Sequence, residues 1–234
     1  MMRFQVTRHR IPFRSSARVV HLTDVHVGPT TPRRFLCEVA RRVRELEPDL
    51  VVLTGDYVNA STFYVGRVTE LVLQLPQPCV AVLGNHDHWT DAERVSSALV
   101  KGGARVLRNE SVEIGGIRVV GVDDGFSGHA DVDRAFFRVD DPERVLVLSH
   151  FPSTADVIAK KNPPLVLSGH THAGHVVIPK VTKAIARAVG NPYLHGFHRV
   201  GPRTDLYVNA GLGHSLPGLR FGAKPEIAVF DLAR

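Results

Sequence analysis

The segment Ser168-Gly169-His170-Thr171-His172-Ala173-Gly174-His175 directly follows the short apolar run Leu165-Val166-Leu167. Because side chains alternate along an extended strand, the two-residue spacing predicts that His170 and His172 point the same way. The flanking glycines allow a sharp exit from the strand and a close backbone approach. Two convergent neutral imidazoles make half of a metal site. Carboxylates from elsewhere in the chain should therefore complete the metal site.

The composition is that of an α/β protein with a substantial core. The 234 residues are 44% hydrophobic and 22% charged, which suits one domain spanning residues 1–234 better than two. Cys37 and Cys79 fall in a helical and a strand pattern, and we expect two buried free thiols in a reducing compartment. The N-terminus lacks the apolar core of a secretory signal, and no run approaches ~18 apolar residues. A cytoplasmic protein is expected.

The net charge of +6 favours an anionic partner. An anionic substrate, a nucleic acid or an anionic lipid surface would each fit. The lysines and arginines are scattered and no nucleic-acid motif is present, so no specific nucleic-acid partner is predicted. Nothing in the sequence indicates an oligomeric state.

The first half of the chain alternates strands and helices. Strands are predicted at 18–22, 49–53 and 79–83, and each is followed by a helix, at 31–48, 62–75 and 91–101. This alternation predicts a parallel sheet with right-handed crossovers. An edge strand is expected at 3–7, followed by an arm at 9–16. The second half predicts a mixed sheet of short strands, at 105–107, 112–114, 117–122, 144–148, 165–167, 176–178, 206–209 and 227–230.

Five loops that each follow a predicted buried strand carry polar groups of metal-ligand type. They hold Asp24 and His26; Asp56; Asn85 and His86; His150; and His170 with His172. One such loop alone is ordinary turn chemistry, but five at strand ends indicate a ligand site. Carboxylate, amide and imidazole without thiolate suit Mn²⁺, Fe²⁺, Zn²⁺ or Mg²⁺ and argue against a structural zinc site.

These motifs resemble those of the calcineurin-like metallophosphoesterases. The matching pieces are Asp24-Val25-His26, Gly55-Asp56-Tyr57-Val58-Asn59, Gly84-Asn85-His86-Asp87, His150 and Gly169-His170-Thr171-His172. The later segment Leu206-Tyr207-Val208-Asn209-Ala210-Gly211-Leu212-Gly213 resembles a bacterial phosphodiesterase subgroup that includes UDP-2,3-diacylglucosamine pyrophosphatase-like enzymes. The resemblance implies an α/β fold, a four-layer αββα sandwich of two mixed sheets, with a dinuclear metal site at strand ends.

The resemblance also implies roles for single residues. Asp24, His26 and His172 would bind one metal ion, Asn85, His150 and His170 would bind the other, and Asp56 would bridge both. His86 would be the catalytic histidine, and a hydroxide shared by the metals would be the nucleophile. The cofactors would be two divalent ions, with Mn²⁺ expected first and Fe²⁺, Zn²⁺ or Mg²⁺ as alternatives. The enzyme would cleave a phosphodiester or pyrophosphate bond.

One motif departs from the protein-phosphatase branch of that family. That branch has Gly-Asp-x-Val-Asp-Arg-Gly, whereas this chain has Asn59-Ala60-Ser61 in place of Asp-Arg-Gly. The carboxylate that orients the catalytic histidine in that branch is missing, and Asp87 or a main-chain carbonyl is left for the role. The departure argues against a Ser/Thr protein phosphatase.

Substrate recognition is predicted for His175, His214 and Arg220. The loop at 212–221 is apolar and forms either an entry for an acyl chain or buried packing. The leading hypothesis is a lipid-linked or nucleotide-lipid substrate, with peripheral contact to membrane lipid. An enzyme acting on soluble substrates such as cyclic nucleotides is the alternative, and a non-catalytic scaffold of the same fold ranks third.

Overall fold

Six of the strands form a sheet that carries both chain ends. A computed structural model describes residues 4–174, 192–213 and 224–234. The strands of this first sheet are β1 (Gln5–Pro12), β2 (Ala17–Leu22), β3 (Leu50–Thr54), β4 (Cys79–Val82), β5 (Arg105–Val106) and β12 (Glu226–Ala233). Their order is β1-β12-β2-β3-β4-β5. The neighbours from β2 to β5 are parallel, as the strand-helix alternation predicts, and β12 runs antiparallel to β2.

The second sheet is mixed, as expected, but the predicted strands at 105–107 and 227–230 lie in the first sheet instead, because they pair with β4 and β2. Its strands are β6 (Glu110–Ile114), β7 (Ile117–Val122), β8 (Val145–Ser149), β9 (Leu165–Ser168), β10 (Gly196–Arg199) and β11 (Asp205–Val208). Their order is β10-β11-β9-β8-β7-β6. The four central strands are parallel, and β6 and β10 add antiparallel edges.

The described helices lie on the outer faces of the two sheets or at the strand ends. They are α1 (Arg33–Glu45), α2 (Gly66–Val72), α3 (Asn85–Thr90), α4 (Ala92–Lys101), α5 (Val132–Ala135) and α6 (Ala155–Ile158). Single 3₁₀ turns occur at Thr62–Tyr64, Pro142–Arg144, Pro152–Thr154, Ala159–Lys161 and His172–Gly174. Among the described residues, no helix has both the length and the apolar character to cross a bilayer.

The alternation of side chains along each central strand divides the core into layers. In β3, Leu50 and Val52 pack between the two sheets, whereas Val51 and Leu53 pack against α1, α2 and α4. In β8, the even-numbered leucines share the inter-sheet layer, and Val145 and Val147 pack beneath α5 and α6. Because both faces of these strands are covered, their sequences read as continuous apolar runs. The result is the four-layer αββα sandwich.

Several local predictions were wrong or incomplete. The first half of the predicted arm at 9–16 is part of β1, because β12 offers it a partner strand from the other end of the chain. The helix predicted at 62–75 is a 3₁₀ turn followed by the shorter α2, and α3 and β10 were not predicted. Cys37 is exposed rather than buried, because it lies on the outer face of α1. The strand predicted at 176–178 lies outside the described residues.

Candidate metal centre

Loops at the carboxyl ends of β2, β3, β4, β8 and β9 meet at one edge of the sandwich. They bring together all seven residues that the sequence proposes as ligands: Asp24, His26, Asp56, Asn85, His150, His170 and His172. All of these side chains are buried except that of His170, which is half-buried. The sequence-based grouping of these distant loops therefore matches the geometry.

A first group consists of Asp24, His26, Asp56 and His172. One ligand atom from each of the four lies within 4.8 Å of the others. The Nε2 atoms of His26 and His172 are 3.0 Å apart, and His172 Nε2 is 3.2 Å from Asp24 Oδ1. His26 Nε2 is 3.5 Å from Asp56 Oδ2. Nitrogen and oxygen lone pairs thus converge on one point, as a divalent cation requires.

A second group shares Asp56 with the first. Ligand atoms of Asp56, His150 and His170 lie within 4.8 Å of one another. Asn85 joins this group, because its Oδ1 is 2.8 Å from His170 Nδ1 and 3.1 Å from His150 Nε2. Asp56 Oδ2 is 3.3 Å from His150 Nε2. One carboxylate therefore lies between two sets of donors.

Main-chain carbonyls fix the orientation of two of the imidazoles. His26 Nδ1 is 3.2 Å from the carbonyl oxygen of Val58, and His150 Nδ1 is 2.7 Å from that of Thr54. A carbonyl oxygen only accepts hydrogen bonds, so each Nδ1 carries the proton and donates it. Each Nε2 then faces the cluster, with a free lone pair on His26 and with a proton that a cation can displace on His150, which is the orientation that metal-binding histidines need. The donor set therefore fits divalent cations.

Burial and crowding shift the pKa values of these groups. Burial lowers the pKa of His26 to about 4, and burial together with His150 lowers that of His170 to about 3, so both rings are neutral at pH 7. Burial raises the pKa of Asp24 to about 6. Although burial opposes both charges, attraction between Asp56 and His150 lowers the pKa of Asp56 and raises that of His150 to about 10. A bound cation would stabilise these carboxylates and displace the His150 proton.

The backbone of the cluster is left-handed at most of its ligand positions. Asp24, His26, Asp56, His170 and His172 have φ angles of 52°, 46°, 56°, 70° and 51°. The extended conformation predicted for the pair at 170 and 172 is therefore wrong, because β9 ends at Ser168. Non-glycine residues with positive φ are uncommon and cluster at functional sites. This backbone sends the two imidazoles to different groups.

Gly169 and Gly84 allow the loops that carry the candidate ligands to pack directly against one another. A Cβ atom at Gly169 would lie 2.1 Å from Thr23 Oγ1 and 2.3 Å from Asp24 Oδ2. A Cβ atom at Gly84 would lie 2.3 Å from Asp56 Oδ1. Both distances to a carboxylate are far below van der Waals contact, so only glycine fits beside these carboxylates.

His86 lies beside the cluster and belongs to neither group. Its backbone N–H donates to Asp56 Oδ1 at 2.9 Å, and its ring centroid is 4.9 Å from that of His26. Its Nδ1 is 2.5 Å from the carbonyl oxygen of Asn59. Of the two partners left open by the sequence, the main-chain carbonyl is the one used. Asp87 instead accepts four backbone N–H groups, from Asp56, Tyr57, Val58 and Gly84.

A buried network behind the cluster was missed by the sequence reasoning. Glu226 is fully buried at the start of β12. Its carboxylate accepts hydrogen bonds from Thr7, Tyr207 and the backbone of Ala210, and its Oε2 is 3.0 Å from His195 Nε2. A lone glutamate at the start of a strand gives no signal of this role.

The segment after β11 connects that network to the candidate centre. Asn209 donates from its side chain to the carbonyl of His21, and the N–H of Leu212 donates to the carbonyl of Thr23. The N–H of Gly213 donates to the carbonyl of Asp24 at 2.6 Å. This segment therefore supports the loop that carries Asp24. The three residues predicted to recognise substrate, His175, His214 and Arg220, lie outside the described residues.

Comparison with known proteins agrees with the motifs. A family model described as "Calcineurin-like phosphoesterase" matches residues 17–174. A Helicobacter pylori "Uncharacterized metallophosphoesterase" is 31% identical over 226 residues, which cover 92% of this chain and 59% of that protein. The Escherichia coli "Phosphodiesterase YaeI" is 29% identical over 248 residues, which cover 98% of this chain and 88% of that protein.

A solved structure supports the architecture alone. The Thermus thermophilus protein TT1561 aligns with a TM-score of 0.55 at 12% identity, covering 84% of this chain and 90% of that one. The family model matches about two thirds of the chain, and the candidate ligands all lie within the matched residues. The chain therefore belongs to the calcineurin-like phosphoesterase family and contains a metal-dependent phosphoesterase domain.

Proposed function

We propose that the protein hydrolyses phosphodiesters with the help of two divalent cations that share Asp56. The observation that carries this proposal is the presence of that carboxylate in both donor groups. Asp24, His26 and His172 would complete one site, and Asn85, His150 and His170 the other. The mixture of imidazole, amide and carboxylate makes Mn²⁺ the first choice, with Fe²⁺, Zn²⁺ and Mg²⁺ as alternatives.

The bound ions would act as Lewis acids on the phosphoryl oxygens and make a water molecule acidic enough to attack phosphorus. Asp56 would set their separation. The hydrogen bond from the backbone N–H of His86 to Asp56 Oδ1 would keep His86 close to the same carboxylate. Because Nδ1 donates to a carbonyl, Nε2 is the nitrogen of His86 that gains and loses a proton. We assign His86 the protonation of the leaving alkoxide.

Among the described residues, the charged partners of the centre favour a diester. In the described part of the chain, the hydrogen bonds and ion pairs of Asp24, Asp56, Asn85, His86, His150 and His170 involve no lysine or arginine. A phosphodiester carries one negative charge, which the cations alone can neutralise. A pyrophosphate carries more charge and is typically bound by additional basic side chains.

The lipid-linked pyrophosphate predicted from the sequence is the competing substrate class. Its support is the resemblance of residues 206–213 to a phosphodiesterase subgroup, together with the apolar loop at 212–221 and Arg220. Residues 214–221, which include Arg220, lie outside the described residues. A peripheral membrane contact and a cytoplasmic location belong to the same hypothesis. Soluble diesters such as cyclic nucleotides need neither the loop nor the membrane.

One experiment tests the proposal directly. Purified protein is stripped of metal, reloaded with Mn²⁺, Fe²⁺, Zn²⁺ or Mg²⁺, and assayed on bis(p-nitrophenyl) phosphate, p-nitrophenyl phosphate and a lipid-linked pyrophosphate. We expect metal-dependent cleavage of the diester, lost in Asp56→Asn and kept in Asp49→Asn, a surface aspartate outside the cluster. Cleavage of the monoester alone, or no cleavage with any metal, would refute the proposed function.

A further inference from the structure

Three aromatic side chains form an exposed strip at the mouth of the candidate centre. The side chain of Trp89 is 61% exposed and that of Phe126 is 50% exposed, while Phe151 is half-buried. The ring centroids of Trp89 and Phe126 are 5.8 Å apart, and those of Phe126 and Phe151 are 5.3 Å apart, both pairs in edge-to-face geometry. We call these three residues the aromatic strip.

The aromatic strip is continuous with the candidate centre at both of its ends. The ring of Trp89 is 5.3 Å from that of His86, measured between centroids. The rings of Phe126 and Phe151 lie 5.0 Å and 5.1 Å from that of His170. A substituent of a phosphate held at the centre would therefore be close enough to rest on the aromatic strip.

The three side chains come from separate connections at the same edge of the sandwich. Trp89 is in α3, Phe126 lies in the loop after β7, and Phe151 directly follows His150 after β8. Large aromatic side chains gain most from burial, so leaving two of them half or more exposed beside a polar site has a free-energy cost. Exposed apolar patches next to a site commonly contact the ligand.

The shape of the aromatic strip favours a flat ligand over a flexible chain. An acyl chain gains affinity when apolar walls enclose it on several sides, whereas a planar ring can stack on an open aromatic face. Stacking of a base on an aromatic side chain is worth about 1–3 kcal/mol, or roughly 5- to 150-fold in affinity. The high exposure of Trp89 leaves its indole available for such stacking.

We propose that the aromatic strip is a subsite for an ester substituent that carries a planar aromatic ring, and that the substrate is a nucleotide-type diester. The inference rests on the proposed function, which places the phosphate at the two cations. The phosphate would be held at the centre, and the base would stack on Trp89, with the steeply inclined ring of Phe126 beside it.

The chain offers its own reporter for a test, because Trp89 is its single tryptophan. Mg²⁺-loaded protein is excited at a wavelength that adenine does not absorb and titrated with adenosine 5′-monophosphate, ribose 5-phosphate and octyl phosphate. We expect the adenosine compound to quench Trp89 and to bind at least about fivefold more tightly than ribose 5-phosphate. Phe126→Ala should reduce this preference, and Phe137→Ala, at another exposed phenylalanine, should leave it unchanged.

Three other outcomes would contradict the inference. Equal affinities for the adenosine and ribose compounds, with cleavage of bis(p-nitrophenyl) phosphate intact, would overturn the subsite and leave the proposed function standing. Tighter binding of octyl phosphate than of either would assign the strip to an acyl chain. Failure of all three phosphates to bind, together with loss of diester cleavage, would overturn both proposals.

Discussion

Gly169→Ala is a single-methyl change aimed at the packing of the metal loops. The new Cβ would lie 2.1 Å from Thr23 Oγ1 and 2.3 Å from Asp24 Oδ2, and Cβ contacts in proteins are essentially never shorter than 3.0 Å. Relief therefore needs displacements of about 0.9 Å and 0.7 Å. Metal sites tolerate only about 0.2 Å in ligand distance, so Asp24 would no longer bind well.

We expect two measurable effects. Overpacking of this kind costs about 1–3 kcal/mol, which corresponds to a fall in Tm of roughly 2–12 °C in a domain of this size. Displacement of a ligand should weaken Mn²⁺ binding by at least about tenfold, measured by calorimetry on metal-stripped protein. Gly66→Ala is the matched control, because a Cβ there meets nothing within 4 Å. Wild-type Mn²⁺ affinity and Tm in Gly169→Ala would refute the packing argument.

Three further predictions concern residues around the centre. His86→Ala should bind Mn²⁺ normally but lose about 10²- to 10⁴-fold in kcat on a diester, while His129→Ala should keep both; unchanged turnover in His86→Ala would remove His86 from the reaction. Asn59→Ala should keep kcat within about threefold, because the main-chain carbonyl holds His86; a large loss would assign the role to the amide side chain. Burial opposes ionisation of Glu226, but its hydrogen bonds lower its pKa to about 2. The ionised carboxylate therefore stabilises the fold fully above the unfolded pKa near 4.5, and this contribution is lost as the pH falls towards 2. The stability advantage of wild type over Glu226→Gln in urea unfolding should therefore shrink between pH 5 and pH 3, and a constant difference would contradict this.

The positions of the central strands in the sequence were predictable, because a strand that is buried on both faces appears as a continuous apolar run. The runs at 50–53 and 145–148 are apolar throughout, since alternate side chains enter different layers of the core. The polar residues that follow such runs had to gather at one edge of the sheets. This pattern groups the five polar loops, whereas the division into seven ligands and a separate His86 follows from the family resemblance alone.

Other features depend on contacts that no local pattern records. The left-handed backbone at His170 and His172 is imposed by the surrounding loops, so an argument from strand periodicity gave the wrong conformation. The pairing of β1 with β12 joins opposite ends of the chain. The carbonyl of Asn59 that holds His86 is a backbone group and leaves no trace in the residue type. The carboxylate of Glu226 is stabilised by residues from three separate segments, at Thr7, at His195 and at 207–210.

The central claim is that Asp56 joins two cation sites. Crystals of the protein grown with Mn²⁺ and measured at the manganese absorption edge would locate the ions by anomalous scattering. We predict two peaks about 3.5–4 Å apart on either side of the Asp56 carboxylate, one beside His26 and His172 and the other beside His150 and His170. A single peak, or peaks that leave Asp56 without contact to both ions, would contradict the claim.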